Sequence, residues 1–148
     1  MNPTHVHVFI THLPIFGSIL GAVVLTLSLA TRNRQTLFAA YIVLIISSAG
    51  GGIAYITGEE AEETVEKIEG IDEERIEEHE EAAKFAMITS IGLGVLSILG
   101  MIIQSRRSSY QKGYAIFVLV VALFTFSVVV RTGFLGGYIR HTEIHKTS

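Results

Sequence analysis

Charged side chains break this chain into four long uncharged runs: Met1 to Thr31, Gln35 to Gly58, Phe85 to Ser105 and Gly113 to Val130. Each run holds at least 18 residues. A helix of that length crosses the roughly 30 Å hydrocarbon layer of a bilayer. The pattern predicts membrane-spanning helices at about residues 6–30, 36–57, 84–104 and 114–139. Pro14 lies inside the first, where it removes a backbone hydrogen bond and is expected to kink the helix just below His12. In the second, Ser47, Gly50, Ala54, Thr57 and Ala61 recur on one face. Small side chains let neighbouring helices approach closely in lipid.

The polar stretch between the second and third runs also follows a helical period. Ala61, Val65 and Ile68 fall at i, i+4 and i+7, so the second helix is expected to continue outward for about three turns. Gly70 is placed to end it and Asp72 to cap the next helix. There Ile76, His79, Ala83 and Ala86 share a face, which continues as Ser90, Gly94 and Ser97. The expected fold is an all-α bundle of four transmembrane helices in one domain, residues 1–148. Its second and third spans extend into an acidic helical hairpin over residues 58–83.

Composition agrees with membrane insertion. Hydrophobic residues make up 49% of the chain and the mean hydropathy is +0.50, high for a water-soluble protein of this length. Of the 14 acidic residues all but Glu143 lie between Glu59 and Glu81, and no basic patch suggests nucleic acid. The absence of cysteine excludes disulfides, thiolate metal sites and thiol catalysis. Arg32 and Arg34 follow the first span; Arg106, Arg107 and Lys112 follow the third. The positive-inside rule makes those two loops cytoplasmic and places both termini and the acidic hairpin outside. Leu27 to Ala30 loosely resembles a signal-cleavage site, but no positive charge precedes it and the apolar run is long, so the first span is expected to be retained.

This topology gathers all six histidines, His5, His7, His12, His79, His141 and His145, at one membrane face. The clustering points to a metal or haem site. His5 and His12 are seven residues apart, about 10 Å along a helix, which suggests two layers of ligands. The expected metal core is His12, Glu60, Glu63, His79 and His141, with His5, Glu59, Glu143 and Arg131 supporting it. Histidine with carboxylate suits zinc or iron. No Glu-x-x-His spacing occurs, which argues against a symmetric di-iron centre. His7 and His145 read as solvated interfacial residues. Arg131, about two turns inside the fourth span, needs a partner, and Glu59, Glu60 and Glu63 are the expected ones.

The rival reading is a b-type haem with histidine ligands from two helices. Gly50, Gly51, Gly52, Gly94, Gly136 and Gly137 are then expected to make room for the porphyrin, and Arg131 or Arg140 to pair with its propionates. A further alternative is a non-catalytic small subunit, its acidic hairpin docking a basic partner in a larger membrane complex or a homo-oligomer. No nucleophile motif or His-Glu-x-x-His is present, so no reaction can be named.

Four motifs carry a resemblance over most of the chain: Thr-His-Leu-Pro at 11–14, Thr-Gly-Glu at 57–59, His-Glu-Glu-Ala-Ala at 79–83, and the run from Arg131 to Ile144. With these the chain resembles a family of small bacterial four-span membrane proteins of unknown function. The resemblance implies a four-helix fold in a bacterial cytoplasmic membrane, with histidines at 12, 79 and 141 and acids at 59, 63 and 143 as the shared positions. Thr11 stands where the family usually has asparagine before the first of those histidines.

Overall fold

The computed structural model describes residues 3–65, 73–106 and 111–140, with side chains at 7–58, 74–106 and 111–138. Four helices account for nearly all of it: α1 (Pro3–Thr31), α2 (Arg34–Val65), α3 (Glu73–Ser105) and α4 (Gln111–Arg140). No strand occurs among the described residues. All four helices are long and apolar enough to cross a membrane, over His7–Thr31, Arg34–Gly58, Glu74–Ser105 and Gln111–Tyr138. The chain is a multi-pass membrane protein. α2 runs on to Val65 and α3 starts at Glu73, so both acidic arms of the hairpin are helical. Its expected turn, with Gly70 and Asp72, lies outside the described residues.

The helices form a closed ring in which α1 packs on α2, α2 on α3, α3 on α4 and α4 back on α1. Each turns inward a seam with alternating steps of three and four residues. On α3 it runs Ile76, His79, Ala83, Ala86, Ser90, Leu93, Ser97, Gly100 and Gln104. On α4 it runs Ala115, Val118, Ala122, Thr125, Val129 and Thr132. That spacing keeps one stripe facing the partner helices, as in left-handed helical bundles. The opposite faces carry the bulk: Phe9 is 79% exposed, Phe134 66% and Phe16 63%. Such surfaces belong in lipid.

Two glycines show how close the backbones come. A Cβ on Gly51 would lie 2.7 Å from both Cβ and Oγ of Ser90, and one on Gly94 would lie 2.7 Å from the Cβ of Ser48. α2 and α3 thus each offer a glycine to a serine of the other. The Ser48 hydroxyl donates to the Ser90 carbonyl at 2.6 Å. On the neighbouring seam, the Ser47 hydroxyl donates to the Pro14 carbonyl at 3.2 Å, which also accepts from Ser18 at 2.7 Å. α1 stays helical through Pro14, and that carbonyl becomes its tie to α2.

At the arginine end, Arg32 takes a left-handed conformation (φ 53°) that closes α1. The Asn33 side chain accepts from the backbone NH groups of Gln35 and Thr36 at 2.8 and 3.2 Å, capping α2. The Arg34 guanidinium donates to the Gln104 carbonyl, and the Gln104 amide donates to the Arg34 carbonyl. This reciprocal clasp ties the start of α2 to the end of α3.

Gly51→Ala is expected to force α2 and α3 apart and cost about 1–3 kcal/mol of stability, because Ser90 cannot swing clear. Gly52 faces open space, so Gly52→Ala should be neutral or gain up to about 1 kcal/mol from helix propensity. Thermal unfolding of both variants in detergent checks this; equal midpoints would contradict the close seam.

Candidate functional site

Helix register sets the height of each side chain above the Gly51–Ser90 contact. Gly58 is seven residues further along α2, about 10 Å, and His7 lies beside it. His79 is 11 residues before Ser90 on α3, about 16 Å away, and lies beside Gly136 of α4. His79 therefore stands about one turn farther from the bundle centre than His7. Both rings lie on the inward seams of diagonally placed helices, within electrostatic reach of each other.

His7 is held in a defined orientation. Its Nδ1 lies 3.0 Å from the Ala54 carbonyl oxygen and 3.3 Å from Thr57 Oγ1. A carbonyl can only accept, so in the neutral ring Nδ1 carries the proton and Nε2 keeps its lone pair. The Thr57 hydroxyl donates to the Ile53 carbonyl at 3.0 Å, leaving its oxygen free to accept from His7. A Cβ on Gly58 would lie 3.1 Å from the ring, so a side chain there would push the imidazole back by a few tenths of an ångström.

His79 is placed by α4. A Cβ on Gly136 would lie 2.9 Å from its Cε1. The Thr132 hydroxyl donates to the Ala82 carbonyl at 3.1 Å, fixing α4 against this part of α3. His79 Nδ1 is buried and has no hydrogen-bond partner among the described residues. A buried ring nitrogen without a partner is uncommon and calls for one.

His12 departs from its expected place. Its ring is exposed, stacked on Phe16 of the same helix with centroids 6.0 Å apart. Its Nδ1 lies 2.7 Å from the Val8 carbonyl, one turn back. His7 and His12 are five residues apart, about 140° around a helix, so turning one inward turns the other out. The structure brings His7 and His79 to the interior in place of His12 and His79. The signal was present in α1: His7 continues the seam of Pro14, Ser18, Gly21, Leu25 and Ser28 by the same steps.

Arg131 meets a charge on the neighbouring helix α3. Its guanidinium lies 3.9 Å from a Glu78 oxygen, and the two side chains are 72% and 58% exposed. Its described partner is thus on α3, and the side chains of the expected partners on α2, Glu59, Glu60 and Glu63, lie outside the described residues. Glu78 and Arg131 both lie within the stretches long and apolar enough to cross a membrane, Glu74–Ser105 and Gln111–Tyr138. With Glu78, Glu81, Ala82, Phe85, Val128 and Thr132, Arg131 lines an open groove of about 230 Å³ between α3 and α4.

Four of the six glycines expected to admit a porphyrin are met by neighbouring side chains. Gly50 meets Leu13, Gly51 meets Ser90, Gly94 meets Ser48 and Gly136 meets His79. Gly52 and Gly137 meet nothing within 4 Å. The side chains of His5, Glu59, Glu60, Glu63 and Arg140 lie outside the described residues, as do His141, Glu143 and His145; the first five positions are helical. Among the described residues, no three His, Cys, Asp or Glu side chains gather closely enough to hold a metal ion. Compared with family models, curated proteins and solved structures, the chain matches none.

His12→Leu is expected to leave unfolding stability within about 0.5 kcal/mol of the parent, because its ring is exposed and its described contacts, to Val8 and Phe16, lie within α1. Chemical or thermal unfolding in detergent measures this. A loss above about 2 kcal/mol would show that the ring is packed after all.

Proposed function

We propose that this chain is a membrane protein whose extracytoplasmic end binds a divalent metal ion, zinc or iron, through the inward-facing imidazoles of His7 and His79. The observation that carries this is the His7 hydrogen bond to the Ala54 carbonyl at 3.0 Å. Metal-binding histidines characteristically donate their second ring NH to a carbonyl or carboxylate, which fixes the tautomer and raises the basicity of the ligating nitrogen. His7 is held in that way, which leaves the ring's lone pair on Nε2. His79 supplies a second nitrogen at Nδ1, buried one turn farther out.

Two imidazoles are too few for a structural or catalytic zinc, which takes three or four protein ligands. By register Glu59 and Glu60 on α2 stand between the heights of His7 and His79, and Glu63 stands level with His79. Carboxylates from this turn complete the proposed set, joined by His141 and Glu143 of the C-terminal tail. The interior glycines are filled by neighbouring side chains, which favours a bare ion over a haem. The orientation follows from Arg32, Arg34, Arg106 and Lys112 at the opposite end.

The test is metal analysis and visible absorption of protein purified in mild detergent. Stoichiometric zinc or iron without a Soret band is expected, with a lower melting temperature in chelator. Losing a partner that merely orients a ligand costs 10–100-fold in metal affinity, so His7→Ala or His79→Ala should cost about 100-fold or more. A Soret band would replace the bare ion with haem. Protein free of metal, with melting unchanged by chelator, would overturn both and leave the docking-subunit reading.

A further inference from the structure

The groove between α3 and α4 lies outside the proposed metal site and is built differently. Its floor is apolar: Phe85 and Val128 belong to the uncharged runs, and Phe85 is steadied by an edge-on contact with Phe124, centroids 6.3 Å apart. Its mouth is charged, with Arg131 on one wall and Glu78 and Glu81 on the other. It therefore straddles the height at which hydrocarbon gives way to headgroups. Its volume, about 230 Å³, is below the roughly 300–1,000 Å³ of pockets that take drug-sized ligands.

We infer that this groove holds the headgroup of a zwitterionic phospholipid of the ethanolamine type. Arg131 and Glu78 are 3.9 Å apart, too far for a direct hydrogen bond, so both keep capacity for a ligand. The guanidinium fork matches a phosphate. The two carboxylates match an ammonium group, which has three NH donors. Phe85 and Val128 receive the start of the acyl chains. One cation beside two anions complements a headgroup carrying both signs and opposes an anionic one such as phosphatidylglycerol. A choline headgroup has the same charges but no NH to donate, so it fits less well. This site does not depend on the metal reading.

Native mass spectrometry of delipidated protein tests it, titrating phosphatidylethanolamine, phosphatidylcholine and phosphatidylglycerol with identical acyl chains. Ethanolamine lipid is expected to bind about fivefold more tightly than the glycerol lipid, the effect of one partly exposed ionic contact. Arg131→Gln should weaken ethanolamine lipid about fivefold. Glu78→Gln with Glu81→Gln should remove the preference over phosphatidylglycerol. These side chains are exposed, so the variants are expected to fold. Equal binding of the three lipids, a preference for phosphatidylglycerol, or an ethanolamine preference that survives either variant overturns the proposal.

Discussion

Helices in lipid are not driven together by the hydrophobic effect, because their outer surfaces are already in an apolar solvent. They associate where backbones can touch. In this bundle that condition is met by glycine against serine: Gly51 on Ser90, Gly94 on Ser48, and Gly17 on Ser47. These contacts set the rotation of α1, α2 and α3. Once α1 is locked by Gly17 and by the Ser47 bond to the Pro14 carbonyl, His7 must face inward and His12 must face lipid. Once α3 is locked by Ser90 and Gly94, His79 must face inward as well. The positions of the histidines follow from packing some 10–16 Å below them along the helix axes.

How far the sequence revealed this differs from helix to helix. The inward face of α3, from Ile76 through His79, Ala83 and Ser90 to Ser97, was readable in full because glutamates mark the opposite side of its first turns. The same contrast made the helical arms of the hairpin legible. α1 carries no charge at all, so its lipid face and its core face are both apolar. Bulk was the distinguishing signal there: Phe9, Phe16, Leu20 and Leu27 lie outside, and Ser18, Gly21 and Ser28 inside. That difference in size turns His7 to the inside of the bundle and His12 to the outside. For Arg131 the described partner is Glu78 on the adjacent helix, a pairing that counting along α4 alone does not reveal.

The two ends of the bundle are stabilised by different chemistry. At the arginine end, Arg34 and Gln104 exchange hydrogen bonds with each other's backbones, and Asn33 caps α2. The buried side-chain oxygen of Gln104 nevertheless has no hydrogen-bond partner among the described residues. At the histidine end, Nδ1 of His79 is likewise buried without a partner among the described residues, and the His7 bond to the Ala54 carbonyl leaves the ring's lone pair on Nε2. In a low-dielectric interior an unsatisfied polar group carries a stability penalty, so its retention is a reason to look for what completes it. In the α3–α4 groove Arg131 and Glu78 approach without closing.

The account stands most directly on which imidazoles reach a common ion. Copper(II) binds imidazole sites more tightly than zinc or iron and reports each coordinated ring in pulsed electron paramagnetic resonance. Loaded into the purified protein, it should show at least two coordinated imidazoles. His7→Gln and His79→Gln should each remove one, and His12→Gln none. Loss of a ring in the position-12 variant, with the position-7 spectrum intact, would contradict the rotation of α1 and the site built on it.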